Sequence, residues 1–124
     1  MPKSSRETAP NVAEFEAAVD ASDELDDHTV DFVSIRQSHS LADILVGLPG
    51  DSCQCPHWGY MFAGELTVRY SDREEVYQAG DAFYMTPGHV PAAVAGTEFV
   101  QFSPTAALNT TLEHMRAKGM ALQA

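Results

Sequence analysis

The chain has little positive charge: 7 Lys and Arg residues stand against 18 Asp and Glu residues, giving a net charge of −11. Nucleic acids and anionic membranes bind clustered Lys and Arg residues, so neither is expected as a partner. The sequence also lacks an apolar run long enough to cross a bilayer, and its first residues lead into acidic ones instead of a hydrophobic signal region. We therefore expect a soluble, cytoplasmic protein.

Cysteine is also scarce, since the only two, Cys53 and Cys55, stand one residue apart. A disulfide between positions i and i+2 would strain the preferred geometry, and a reducing cytosol disfavours it further. The two residues are therefore expected to be free thiols, either packed in the core or bound to a metal.

The N-terminal part concentrates the negative charge, because residues 1–31 hold nine acidic residues and only two basic ones. We interpret residues 1–28 as an acidic leader that is solvated or partly disordered, in preference to a partner-binding arm. Val12, Phe15 and Val19 are spaced as on one face of a helix, which predicts a short helix over 11–19.

Residues 29–103 carry a different pattern, in which short apolar segments alternate with Gly, Pro, Asn, Asp and Ser turn signals. No helical segment separates consecutive strands, so this part is expected to be an antiparallel all-β sandwich or barrel. Strands are expected at 30–35, 57–63, 66–70, 75–77, 82–85, 90–95 and 97–102, with a further apolar run at 41–48. Residues 104–124 are expected to form a C-terminal helix and tail, with an apolar stripe that includes Leu108 and Leu112.

The most informative segment is Cys53-Gln54-Cys55-Pro56-His57, followed about thirty residues later by His89. Side chains alternate along an extended strand, so Cys53, Cys55 and His57 would project to the same side, although Pro56 favours a bulge there. Thiolate and imidazole are ligands of soft and borderline metals. A catalytic zinc ion would suit three ligands, Cys53, His57 and His89, with one open position. Adding Cys55 would close the shell into a structural zinc site. Fe(II) and copper stay open as alternatives.

These segments resemble the cupins, small jelly-roll proteins whose two motifs build a metal pocket. Gly64 matches the glycine that closes the first motif, which places His57 at the usual glutamate position and Cys53 at a usual histidine position. The second motif resembles residues 80–91, with His89 standing two residues before the expected ligand position. The resemblance implies a cupin jelly-roll β-barrel. The segments CQCPHWGY and PGHVP are similar to those of a group of uncharacterised small single-domain cupins.

The resemblance implies a metalloprotein that binds or acts on a small molecule, as a lyase, isomerase, hydrolase or oxygenase if it is an enzyme. Two alternatives stay open: a metal-free ligand-binding or sensing module with an apolar pocket containing Met61 and Met85, and a structural zinc site. The resemblance also implies a homodimer formed through a sheet face. A stripe of alternating aromatic residues on one strand, expected to face away from the pocket, would pack on the other sheet or on a second subunit; it consists of Trp58, Tyr60 and Phe62.

Six further residues have side chains of a type that can act at such a site. Tyr60, Tyr84 and Glu98 are candidates for orienting a substrate or moving a proton, but such residues on strands are more typical of packing and of the solvent face. The remaining histidines lie in polar or exposed segments and are expected to be solvated; they are His28, His39 and His114.

Overall fold

Two antiparallel sheets make up most of the computed structural model, which describes residues 2–119. Met1 of the predicted leader and the last five residues of the predicted tail, 120–124, lie outside the described residues. The elements are β1 Asn11–Glu14, β2 Ala18–Leu25, β3 His28–Ile35, β4 His39–Ser40, a 3-10 turn Pro49–Asp51, β5 His57–Ala63, β6 Glu65–Arg69, β7 Glu74–Gln78, β8 Ala82–Met85, β9 Val90–Ala93, β10 Glu98–Pro104 and α1 Thr105–Ala117.

The strand order is β1-β2-β3-β10-β5-β8 in the first sheet and β4-β9-β6-β7 in the second. The all-β prediction is confirmed, and strands occur in all seven predicted segments. The hydrogen-bonded ladders of residues 2–119 form two separate sheets rather than one closed barrel. The chain crosses between the sheets several times, and the crossing from β8 to β9 runs through the break Thr86–Gly88, where Pro87 cannot donate to a ladder.

The predicted helix at 11–19 is wrong, because this segment forms β1, a turn and the start of β2. Val12 is 58% exposed, so it does not lie on a packed helix face as its spacing predicts. Instead β2 pairs along its whole length with β3, from Ala18 opposite Ile35 to Leu25 opposite His28. Tertiary pairing with a strongly apolar strand therefore overrides the local pattern. The division of the chain at 28/29 and 103/104 stays a prediction.

The C-terminal helix is confirmed as α1, although it begins at Thr105, one residue later than the predicted start at residue 104. Its buried residues are Leu108 and Thr111. Leu108 packs into a small apolar cluster with Leu45, Cys53, Cys55 and Val90 at one end of the sheets. None of the helices in residues 2–119 is long and apolar enough to span a membrane.

The main core lies between the sheets and is built from the inward side chains of both, including Met61, Val68, Phe83 and Phe99. The apolar run at 41–48 is mostly turns and contributes Leu45, which is fully buried in the smaller cluster. That cluster and α1 therefore close one end of the space between the sheets, where the predicted ligands lie.

Candidate metal centre

Backbone hydrogen bonds bring the two predicted ligand segments together. The amide N–H of Cys53 donates to the carbonyl of His89 at 2.9 Å, and the N–H of Gly88 donates to the carbonyl of Cys53 at 2.8 Å. Cys53 and His89 thus form an isolated antiparallel bridge, outside any longer strand. This bridge, and not alternation along one continuous strand, sets the positions of the two side chains.

The side chains of Cys53, His57 and His89 form one buried cluster. Each offers a ligand atom, and these atoms all lie within 4.8 Å of one another. The imidazole rings of His57 and His89 are 5.0 Å apart between centroids. Cys53 Sγ lies 4.0 Å from His57 Nε2. Zinc binds sulfur at about 2.3 Å and nitrogen at about 2.1 Å, so an ion can lie between these two atoms with little movement.

Each histidine has its second ring nitrogen held by a hydrogen bond. His89 Nδ1 lies 2.6 Å from the carbonyl oxygen of Thr86. A carbonyl can only accept, so Nδ1 carries the proton and Nε2 keeps a free lone pair. His57 Nδ1 lies 2.6 Å from Ser103 Oγ. A hydroxyl can donate or accept, so the bond to Ser103 orients the His57 ring without fixing its tautomer. Outer hydrogen bonds of this kind orient metal-bound imidazoles.

Burial keeps the cluster uncharged in the absence of an ion. Burial, followed by the nearby His89, lowers the pKa of His57 to about 3. Burial likewise lowers the pKa of His89, against the hydrogen bond to Thr86. For the Cys53 thiol, burial raises the pKa, and the hydrogen bond with Thr111 opposes this shift. Neutral imidazoles are ready to ligate, whereas the thiol must lose its proton on binding a metal.

Cys55, the fourth predicted ligand, is buried but lies on the other edge of the His57 ring. Its Sγ is 4.0 Å from His57 Nδ1, the nitrogen that also bonds Ser103, whereas Cys53 Sγ is near Nε2. Burial, followed by the nearby Cys53, raises the pKa of the Cys55 thiol to about 12. The geometry therefore groups Cys53, and not Cys55, with the two histidines.

A cavity of about 930 Å³ opens beside the cluster and is lined by Cys53, His57 and His89. Its walls are mostly apolar, and they include Met85. Met61, the other methionine predicted there, is fully buried in the main core and is not among the lining residues. This volume falls within the range of small-molecule pockets.

No protein-family model matches the chain, and no curated protein matches it. Solved structures do match. An RmlC-like cupin from Shewanella frigidimarina NCIMB 400 superposes with a TM-score of 0.56 over 82% of this chain and 88% of its own, at 16% identity. KdgF from a Halomonas species superposes with a TM-score of 0.54 over 76% of this chain and 86% of its own, at 18% identity. The chain has a cupin fold.

A third similar structure, Fe(II) HppE, superposes with a TM-score of 0.59 at 8% identity, over 83% of this chain and 60% of its own. Identities this low establish the fold of the cupin domain and leave its chemistry to its own residues. In this cupin domain, Cys53, His57 and His89 together offer the donor set of a metal site.

The six other candidate residues named from the sequence lie away from the cluster. Tyr60 and Tyr84 are 43% and 46% exposed on the outer face of the first sheet, and Glu98 pairs with Arg6. The three remaining histidines are partly exposed and bond to nearby groups: His28 to Asp27, His39 to the carbonyl of Gln37 and His114 to the carbonyl of Val46.

Sequence reasoning missed two groups around the site of the cupin domain. Ser103 and Thr86 orient the histidines, and no spacing rule links them to residues 57 and 89. Asp20 and Asp31 line the same cavity, although the acidic composition around them predicts a solvated segment. A signal existed for Asp31, since it shares one face of β3 with Val33 and Ile35.

Proposed function

We propose that this cupin domain binds a divalent metal ion through Cys53, His57 and His89, and binds or acts on a small molecule in the adjoining cavity. The observation that carries the proposal is the buried cluster of one thiol and two imidazoles, whose ligand atoms all lie within 4.8 Å of one another. The carbonyl of Thr86 leaves Nε2 of His89 with a free lone pair, and Ser103 orients the ring of His57.

Zinc is the ion we favour, because it accepts mixed sulfur and nitrogen ligands and works with three protein ligands and one open position. Fe(II) is the second choice, on the likeness to Fe(II) HppE, and copper also accepts this donor set. When bound, such an ion would lower the pKa of a bound water or polarise a carbonyl or hydroxyl oxygen of a substrate.

The chain's own residues define the rest of the proposal. Ser103 and Thr86 orient the imidazoles, Cys53 supplies negative charge once deprotonated, and the apolar cavity walls, including Met85 and Phe99, exclude water around a compact ligand. If the protein is an enzyme, these parts suit lyase, isomerase, hydrolase or oxygenase chemistry of the cupin type.

The test is a melting experiment with protein made without an affinity tag. Zinc should raise the midpoint of wild type, a chelator should reverse the shift, and neither His57→Gln nor Cys53→Ala should respond. Glu113→Gln is the control, since Glu113 is an exposed residue of α1 outside the cluster. An unchanged wild-type midpoint would remove the basis of the metal proposal.

A metal-free ligand-binding or sensing module is the second candidate, favoured by the size and apolar walls of the cavity. It predicts stabilisation by a small organic ligand and none by zinc. The third candidate, structural zinc closed by Cys55, predicts that Cys55→Ala loses metal and stability together.

We also propose a homodimer and a cytoplasmic location. The aromatic stripe of β5 lies on the outer face of the first sheet, with Trp58 43% and Phe62 53% exposed, so it does not pack on the other sheet. A second copy of the chain is the proposed cover. Both cysteines are free, which suits a reducing compartment.

A further inference from the structure

Two aspartates from neighbouring strands face the cavity. Asp20 lies on β2 opposite Val33, and Asp31 lies on β3 opposite Ser22, so the aspartates are diagonal neighbours on the inner face of the first sheet. Both line the cavity that also reaches the metal cluster. Asp31 is only 5% exposed, which is unusual for an aspartate with no metal or cation partner.

The described residues leave the pair without a counter-charge. No ion pair within residues 2–119 involves Asp20 or Asp31. Oδ1 of Asp20 and Oδ2 of Asp31 are buried, and no N–H or O–H group in that part of the chain donates to them. A buried carboxylate without a partner is costly, so its presence in a cavity points to a ligand that completes it.

The two carboxyl groups are close enough to influence each other. Burial raises the pKa of Asp20, and the charge of Asp31 adds to the shift. Burial raises the pKa of Asp31 as well. An ammonium group beside the pair would favour the charged form of these carboxyl groups, which supply strong acceptors to a ligand in the cavity.

We propose that the Asp20–Asp31 pair binds the ammonium group of a small organic amine whose apolar part fills the rest of the cavity. An ammonium supplies both the hydrogen-bond donors and the positive charge that the pair lacks. The remaining walls near the pair are apolar and include Val33, Ile35 and Phe99. This inference rests on the proposed function only in that the same cavity receives a small molecule.

One cationic side chain, Arg116, also lines the cavity, but it is exposed in the last turn of α1. Water screens an exposed charge, so Arg116 does not neutralise the buried pair. A metal ion at the cluster would bring positive charge to the same cavity. Amine binding is therefore measured both with zinc and with a chelator present.

The experiment is calorimetric titration of the full chain with hexylamine and with 1-hexanol, which share an apolar body and differ in the polar end. An amine pKa near 10.4 keeps hexylamine charged at about pH 7. We expect hexylamine to bind at least about 10-fold more tightly than hexanol in wild type, with or without zinc. Asp31→Asn should lose about 10-fold or more in hexylamine affinity, whereas Asp20→Asn, which mimics the protonated form of Asp20, should lose less. Glu24→Gln, an exposed change on β2 that removes the same charge, should bind as wild type does.

Equal affinity of wild type for the amine and the alcohol would overturn the inference, as would unchanged amine binding by both aspartate variants. The amine–alcohol comparison needs no variant, so a variant that fails to fold does not weaken the test. Loss of the amine preference with zinc binding intact would refute this inference alone. Loss of zinc binding with the amine preference intact would refute the metal site alone.

Discussion

His57 Nδ1 and Ser103 Oγ lie 2.6 Å apart, a contact between β5 and the end of β10. These strands are neighbours in the first sheet, so the sheet itself sets the position of the hydroxyl against the ring. The opposite nitrogen, Nε2, consequently points to Cys53 Sγ. A side chain outside the ligand set thus holds the His57 ring in the orientation that presents Nε2 to Cys53.

Ser103→Ala should weaken metal binding without abolishing it. Removing the hydroxyl frees His57 to rotate, and losses of about 10–100-fold in metal affinity are typical for such partners. Competition with a zinc indicator measures the effect. Ser71→Ala, in the exposed turn after β6, is the matched control and should bind zinc as wild type does. Equal affinities for Ser103→Ala and wild type would show that Ser103 does not position the ring.

Cys55→Ala and Cys53→Ala should behave differently. The two thiols lie at opposite edges of the His57 ring, so only Cys53 shares an ion with Nε2. Zinc should remain at one equivalent in Cys55→Ala and fall to background in Cys53→Ala, as measured by element analysis after dialysis. Loss of zinc in both variants would instead favour the closed structural site.

Asp20 should make the folded protein less stable as pH rises above neutrality. Burial raises its pKa to about 9 in the folded state, against 3.8 when unperturbed. Between these values the folded chain holds a proton that the unfolded chain has released, so stability declines with rising pH, by up to about 1.4 kcal/mol per pH unit for one proton. Asp20→Asn mimics the protonated form and should remove this decline.

Urea unfolding of chelator-treated protein between about pH 7 and 8 measures this slope. Unfolded histidines and cysteines also titrate near this range, but they contribute equally to wild type and to Asp20→Asn, so the difference between the two slopes reports Asp20. Glu24→Gln, on the same strand, should keep the wild-type slope. If the slopes of Asp20→Asn and wild type coincide, Asp20 is ionised in the folded protein.

The proposed dimer should depend on the outer face of the first sheet. Trp58 and Tyr84 stack there with ring centroids 4.8 Å apart, and Phe102 lies opposite Trp58 on β10. A contiguous exposed aromatic surface is typical of an interface. Analytical ultracentrifugation should find dimers for wild type and monomers for Tyr60→Ser. Val76→Ser, an exposed change on the second sheet, should remain dimeric; a monomeric wild type would contradict the proposal.

The sequence predicted the strands well where alternation and turn residues agree. His57 to Ala63 reads as alternating pocket-facing and outward residues, and β5 has these bounds. The helix at 11–19 failed because spacing alone cannot report that β2 pairs with β3. The spacing of Val12, Phe15 and Val19 reports only a local preference, whereas the β2–β3 ladder is a tertiary contact.

The candidate site was predicted in part for a similar reason. Thiol and imidazole chemistry identified Cys53, His57 and His89 as residues that belong together. Their grouping depends on the Cys53–His89 backbone bridge, which joins segments thirty-six residues apart. The Asp20–Asp31 pair went unnoticed because a surplus of acidic residues around it indicated a solvated segment.

The most direct test of the central claim is an anomalous difference map from crystals of zinc-loaded protein, collected on both sides of the zinc absorption edge. The account predicts one peak within about 2.0–2.4 Å of Cys53 Sγ and of Nε2 of both His57 and His89. A map without a peak among these three atoms, from crystals that contain zinc elsewhere or none, would contradict it.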